Sequence, residues 1–245
     1  MKKWFEDWFG EEYLLVYDHR NVEEAEREAA FIQKLLDLKE NETVLDLCCG
    51  NGRHDFPFVR MGCRVVGLDY SMPLLKSACA CTPADCESPD YIRGDARNLP
   101  FENGSFDVVL SLFTSFGYFD DSENRALIGS MARLLKPGGR FYIDYLNPVK
   151  VAEGLVKESS REKNGMTIHE KRNINSFTKR VEKTITLNRG GESKVFNESV
   201  RLYTKDEMLE MLRGAGLTVN EVLGSINKEP YSDSSDRMIL YGSKP

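Results

Sequence analysis

Residues 44–54 read Val44-Leu45-Asp46-Leu47-Cys48-Cys49-Gly50-Asn51-Gly52-Arg53-His54. The apolar run of Val44, Leu45 and Leu47, broken only by Asp46, has the make-up of a buried strand, and Gly50 and Gly52 follow as a tight turn. Glycine lets the backbone approach a ligand closely. A helix is expected over 53–61, with Pro57 tolerated only in its first turn. The glycine turn then meets a helix N-terminus, which attracts anionic or oxygen-rich ligand groups.

Working outward, Arg64 to Leu68 forms a second apolar strand ending at Asp69, and Ser71 with Pro73 marks the next helix start. Asp69 is expected at an exposed strand tip, 19 positions beyond Gly50. That separation is close to the one at which nucleotide-binding sheets place an acid on the ribose hydroxyls. A very short strand follows from Tyr91 and stops at Gly94 and Asp95; spacing alone makes Asp95 a turn residue. Phe106 to Leu110 has the near-continuous apolar run of a central parallel strand. Its aromatic exit, with Phe113, Phe116, Tyr118 and Phe119, either lines a pocket or packs on the next helix. A helix over 126–135 ends at Lys136-Pro137-Gly138-Gly139, and Phe141, Ile143 and Tyr145 alternate along a fifth strand.

The flanks differ in character. Trp4, Phe5, Trp8, Phe9, Tyr13 and Tyr17 make the N-terminus aromatic, as a flap over a pocket or as a helix packed on the core. Asn21 with Glu24 suggests a capping box for a helix carrying Ala25, Ala29, Ile32, Leu35 and Leu36 on one stripe. After Val149, three alternating strands over 166–174, 180–187 and 195–203 read as an antiparallel insert. Thr204 and Glu207 then cap a helix, and 218–223 and 238–242 give two final strands. The expected fold is α/β, a doubly wound, mostly parallel seven-stranded sheet with a small antiparallel insert after the fifth strand. Four units follow: a flap and helix over 1–40, a ligand-binding core over 41–148, an insert over 149–203 serving as substrate lid or subunit contact, and completion of the sheet over 204–245.

Composition narrows the function. The 245 residues are 41% hydrophobic and 29% charged, enough for one soluble domain with a sizeable core. A formal net charge of -6 argues against a nucleic-acid partner. Glu6 and Asp7 stand where a signal peptide needs apolar residues and no run spans a bilayer, so a cytoplasmic protein without a membrane partner is expected. None of the six cysteines lies beyond Cys86, which suits reduced thiols. Cys79, Cys81 and Cys86 lack a paired metal spacing and a nearby histidine, so small residues at a helix end are favoured over a metal site.

The positions of Asp46, Gly50 and Gly52 are similar to the first motif, Asp-x-Gly-x-Gly-x-Gly, of the class I methyltransferases that use S-adenosylmethionine; Cys48 stands where that family has its first glycine. The Leu134 to Gly139 phrase also resembles this family. The resemblance implies a Rossmann-like methyltransferase fold with S-adenosylmethionine as cofactor. It implies that Gly50, Asn51 and Gly52 hold the methionine part and that Asp46 positions its amino group. It further implies that Asp69 and Tyr70 lie at the ribose, that Asp95 beside Ala96 accepts from the adenine amino group, and that Leu112 and Phe113 border the site. No nucleophile is obligatory; Tyr17, Tyr118 and His169 are candidate bases, with His19 and His54 the other histidines. The expected acceptor is a small molecule methylated on nitrogen, oxygen or carbon, and a homodimer is possible. Enzymes acting on nucleobase amino groups or glutamine carry an Asn/Asp-Pro-Pro-Tyr/Phe motif, and cytosine C5 enzymes a Pro-Cys pair; this chain has neither. Two rivals are a non-catalytic S-adenosylmethionine-binding scaffold and an NAD-dependent oxidoreductase, the latter needing glycine at Cys48 and Arg53.

Overall fold

Val44, Leu45 and Leu47 lie in β1 (Thr43–Leu47), which runs parallel to β2 (Arg64–Asp69) on one side and to β4 (Phe106–Ser111) on the other. β3 (Asp90–Arg93) extends the sheet beyond β2, and β5 (Leu135–Leu146) beyond β4, both parallel. β11 (Arg237–Ser243) pairs antiparallel with β5, and β10 (Thr218–Leu223) closes that edge, giving the order β3-β2-β1-β4-β5-β11-β10. The structure is a computed structural model and describes residues 3–17, 22–82 and 87–245; Asn21 of the expected capping box, His19 and Cys86 lie outside them. Among the described residues no helix is long and apolar enough to cross a membrane.

Helices cover both faces, which is why these strands lack a clean polar alternation. Val44 and Val108 pack with Ala29, Ile32 and Leu36 of α3 (Val22–Leu36) and Phe58 of α4 (Asp55–Arg60). Leu45 and Val109 face the opposite way, toward Leu127, Ile128 and Met131 of α6 (Asp121–Leu134) and Met208 and Leu212 of α8 (Lys205–Gly214). The chain therefore leaves neighbouring β1 and β4 toward opposite faces. A crevice opens there, beyond the C-terminal ends of the strands. Pro57 sits in the first turn of α4, as its missing N–H requires. Ser71 caps α5 (Met72–Ala80), accepting from Leu74 N at 3.2 Å, and Thr204 and Glu207 form their box on α8.

The insert has four strands rather than three: β6 (Glu158–Lys163), β7 (Met166–Asn175), β8 (Arg180–Arg189) and β9 (Glu192–Arg201), paired in sequence as an antiparallel meander. β6 reads Glu-Ser-Ser-Arg-Glu-Lys and buries no residue, so no apolar period marks it; it is an edge held by backbone pairing to β7. α7 (Pro148–Glu153) also escaped the sequence reading, although Asn147 followed by Pro148 is a cap and first-turn pair. Met166, Ile168, Ile185, Leu187 and Phe196 share one face of the insert sheet, and Trp8 and Val16 pack on it. Trp8 belongs to α1 (Trp4–Trp8) and Val16 to α2 (Glu11–Val16). The N-terminal helices thus pack on the insert, while Phe5 of α1 reaches the core under the main sheet.

Trp8 is fully buried and its Nε1 donates to Glu198 Oε1 at 2.5 Å, so Trp8→Ala removes both a core ring and a donor. The expected loss is about 3–5 kcal/mol of the docking of residues 3–17. Hydrogen exchange checks it: this segment loses protection while β1, β4 and β5 keep theirs.

Candidate active site

The turn after β1 holds three residues in left-handed backbone: Cys48 at φ 60°, Gly50 at φ 61° and Gly52 at φ 70°. Cys48 therefore occupies a conformation that L side chains adopt at a cost of about 1–2 kcal/mol. The two glycines have different roles. A Cβ on Gly50 would meet nothing within 4 Å, because the cavity lies beside it. A Cβ on Gly52 would collide with the Tyr91 hydroxyl and come within 3.1 Å of Ala78 Cβ. Gly52 is a packing residue beneath the turn and does not line the cavity.

Asp69 is 7% exposed, not an exposed strand tip. Its Oδ2 accepts from Gly50 N at 2.9 Å and its Oδ1 from Ser71 N at 2.8 Å, which joins the glycine turn to the start of α5. Burial raises its pKa, against the pull of these backbone donors. Asp46 and Asp55 are 1% and 0% exposed. Asp46 Oδ1 and both carboxylate oxygens of Asp55 are buried without a well-formed hydrogen bond, although the two carboxyls lie within reach of one another and the Tyr91 hydroxyl lies within reach of Asp55. Burial and mutual repulsion raise Asp46 well above the ordinary carboxylate range, and burial pushes Asp55 up to about 7.

The cavity is about 350 Å³. Gly50, Asn51, Asp46, Asp69, Tyr70, Asp95, Ala96, Leu112 and Phe113 all border it. Arg97 clasps the Asp95 carboxylate, with Nε at 3.0 Å from Oδ1 and Nη2 at 2.6 Å from Oδ2, and lies over the rings of Phe5 and Phe119. Burial opposes ionisation of Asp95, but these Arg97 bonds prevail and hold its pKa low. Phe113, at φ 53°, is steadied where Asp144 Oδ2 accepts from its N–H at 3.0 Å. Arg237 holds that carboxylate in a bidentate pair.

The roof comes from the N-terminal helices: Phe9, Tyr13, Leu14 and Tyr17 line the cavity together with Tyr118. Phe9 lies 5.6 Å from Tyr118 and 5.0 Å from Tyr13, and Tyr13 lies 4.8 Å from Tyr17, ring centroid to centroid. Tyr17 OH donates to Glu198 Oε1 at 3.0 Å and accepts from Lys183 Nζ. Its pKa is raised by burial and by the Glu198 charge, so the phenol stays protonated at neutral pH. On the roof's other side, Arg180 donates to the carbonyls of Gly117, Tyr118 and Phe119 and fastens the β4 exit to β8. Ser71 Oγ donates to Phe9 O, tying the roof to α5.

Of the candidate bases, Tyr17 and Tyr118 border the cavity, whereas His169 pairs within the insert, between Ser160 and Thr186, and does not. Arg53 and His54, within the opening motif, also line the cavity; their place just after the turn is the signal that marks them. His54 Nε2 bonds Glu28 Oε2 at 2.5 Å, and burial lowers its pKa despite that carboxylate.

The methyltransferase-domain family matches residues 44–139, which include the glycine turn, Asp69 and Asp95. A cypemycin N-terminal methyltransferase of Streptomyces sp is 32% identical over 216 residues, covering 82% of this chain and 82% of that protein. The chain belongs to the class I S-adenosylmethionine-dependent methyltransferases. A demethylmenaquinone methyltransferase of Paenarthrobacter aurescens (strain TC1) is 35% identical over 138 residues; the match spans 56% of this chain and only about half, 52%, of that relative. The S-adenosylmethionine-bound structure of CalS10, an amino pentose methyltransferase from Micromonospora echinaspora, has the same fold, with a TM-score of 0.70 at 21% identity, covering 95% of this chain and 96% of that one. This methyltransferase departs from its family's first glycine at Cys48, where the left-handed backbone explains why glycine suits the position.

The two glycines separate stability from ligand binding. Gly52→Ala is expected to cost about 2–3 kcal/mol and so lower Tm by about 4–12 °C. Gly50→Ala loses about 1–2 kcal/mol to backbone strain alone, but projects a methyl into the cavity. Thermal melts alongside calorimetry with S-adenosylhomocysteine check the contrast: the affinity loss at Gly50 exceeds that at Gly52. For Asp69→Ala, two charge-assisted bonds disappear, each worth about 1.5–3 kcal/mol. The same pair of measurements is expected to show a fall in Tm together with at least about a tenfold affinity loss, which corresponds to about 1.4 kcal/mol.

Proposed function

We propose that this methyltransferase transfers a methyl group to a small molecule bearing an amino nitrogen, bound beneath the aromatic roof. In this reading Asp46, Gly50 and Asn51 hold the methionine part of the cofactor, Asp69 and Tyr70 the ribose, and Asp95 and Ala96 the adenine. Two observations support the fit: Asp46 borders the cavity with a carboxylate short of donors, and the open space beside Gly50 admits close backbone approach. Asp69 and Asp95 each keep lone pairs for a ligand while bonded to their own partners.

S-adenosylmethionine supplies a methyl group on a sulfonium sulfur, which is displaced in line by the acceptor's lone pair. The chain's own residues bind, orient and keep water out. Phe9, Tyr13, Tyr17 and Tyr118 offer ring faces that stabilise the positive charge passing from sulfur to the acceptor nitrogen, whose extra proton leaves to bulk water with the product, and walls that exclude solvent during transfer. That contiguous wall carries the choice of an amine. The names of two relatives, an N-terminal methyltransferase and an amino pentose methyltransferase, agree with it. Tyr17, protonated and committed to Glu198, serves as wall rather than base. His54, neutral at pH 7 and held by Glu28, is the cavity's imidazole. The insert and N-terminal helices together act as the substrate lid.

The test is release of S-adenosylhomocysteine with matched acceptors: amino sugars and short peptides with free N-termini against their N-acetylated forms, together with catechols and quinols. Amines are expected to turn over, and their acetylated forms not. Turnover confined to the catechols or quinols would overturn the nitrogen reading.

A further inference from the structure

Asp55 opens α4, lies under the glycine turn, and has no part in the contacts described above. It shares with Asp46 a pocket of the interior in which buried carboxylate oxygens outnumber the donors that face them. Asp46 and Asp55 are both buried to at least 99%, three of their four carboxylate oxygens receive no well-formed hydrogen bond, and the two carboxyls lie within reach of one another. From β2, Asp69 adds a further negative charge, and from β3 the Tyr91 hydroxyl faces Asp55. The Cys48 thiol lies within the field of Asp46 and Asp69, and the Cys49 thiol within that of Asp46, Asp55 and Asp69. Arg53 is the cation that faces Asp46, and its guanidinium also lies 3.6 Å from Glu24 and 3.9 Å from Glu28. Two adjacent buried carboxylates, with one guanidinium and one phenol facing them, cannot both remain ionised, because each buried charge must be paired or neutralised.

We propose that Asp46 and Asp55 are both protonated in the free protein near pH 6, and that arrival of the cofactor's ammonium group expels one proton while the other stays on Asp55 as the donor to Asp46. The inference rests on the cofactor reading given above and makes Asp55 a positioning residue. In the step, the O–H bond of Asp46 breaks and its proton passes to water. The Asp46 carboxylate then faces the ammonium with one oxygen and accepts from the Asp55 O–H with the other. No ligand bond changes and nothing is oxidised or reduced. The retained proton keeps the pair at a single negative charge, which the single positive charge of the ammonium balances.

The sign of the pH dependence follows. Both acids are harder to ionise in the free protein than in water, and a cation at Asp46 favours the ionised form. Binding therefore releases a proton below the free protein's pKa, and affinity rises as pH rises toward it.

The experiment is calorimetry of S-adenosylhomocysteine binding at about pH 6, in two buffers of different ionisation enthalpy. An α-amino group titrates at about 7.7–8.0, so the ligand arrives already protonated. The expected result is release of between about half a proton and one proton, with affinity rising by up to about tenfold from about pH 5.5 to about pH 6.5. Asp46→Asn removes the group that loses the proton and is expected to abolish the release and flatten the pH profile, whereas Asp55→Asn, an isostere of the acid that stays neutral in both states, is expected to keep the release. His54, the other titratable group of this end of the cavity, is separated by His54→Gln, in which the release persists. Binding without proton release in the wild-type protein overturns this inference alone, as does release unchanged in Asp46→Asn, or lost in Asp55→Asn or His54→Gln. Failure to bind S-adenosylhomocysteine at all sinks the cofactor reading and this inference with it. The two-buffer measurement on the wild-type protein needs no variant to fold.

Discussion

One carboxylate, that of Asp69, ties together the parts on which the cavity depends. Because β1 and β2 are parallel and in register, with Leu47 beside Leu68, the turn after one strand and the helix after the other begin side by side. Asp69 sits between them and accepts from Gly50 N with one oxygen and Ser71 N with the other. Ser71 passes the constraint on, its hydroxyl donating to Phe9 O in the roof. Floor, side and roof are thereby positioned relative to one ionisable group. The cost is a buried charge, offset by backbone dipoles already fixed by the strands and helix.

The parts of this arrangement that were legible in the sequence are those governed by local rules. Val44 to Leu47 and Phe106 to Leu110 announce buried strands through composition; Ser71, Thr204 and Glu207 announce helix starts through capping chemistry. What was not legible depends on partners distant in sequence. Gly52 looks identical to Gly50 in the motif, and only the Tyr91 hydroxyl from β3 shows that one faces packing and the other open space. Asp69 reads as an exposed strand tip, yet the crossing turn buries it. β6 has no apolar residue to betray it, since an edge strand can be held by main-chain bonds alone.

The roof illustrates the same dependence at larger scale. α1 and α2 have five and six residues, too few to be stable helices by themselves. Their position is a property of the insert. Lys183 and Glu198 stand opposite one another across β8 and β9, on the face that also carries Ile185 and Phe196. Glu198 gathers Trp8 Nε1, Tyr17 OH and Lys183 Nζ at 2.5, 3.0 and 2.9 Å. Lys183 also reaches Glu170, whose other oxygen receives Arg161 and Arg172. The insert interrupts the sheet in sequence but completes the cavity in space, through an aromatic segment about 180 residues upstream of Glu198.

Four acids lie in or beneath the cavity, and the protein treats them in three ways. Asp69 is held by backbone N–H groups, Asp95 by the guanidinium of Arg97, and Asp46 with Asp55 chiefly by one another, the Tyr91 hydroxyl and Arg53 standing beside them. A ligand cation gains least where a carboxylate is already paired, since it must share that oxygen with an existing donor. It gains most where a buried acceptor has none, because the desolvation of that acceptor has already been incurred in folding. Asp46 is that acceptor, at the C-terminal half of the central strand and beside the glycine that opens onto the cavity. The orientation of a bound cofactor is thus set by where the fold has withheld a hydrogen-bond donor, as much as by where it has supplied one.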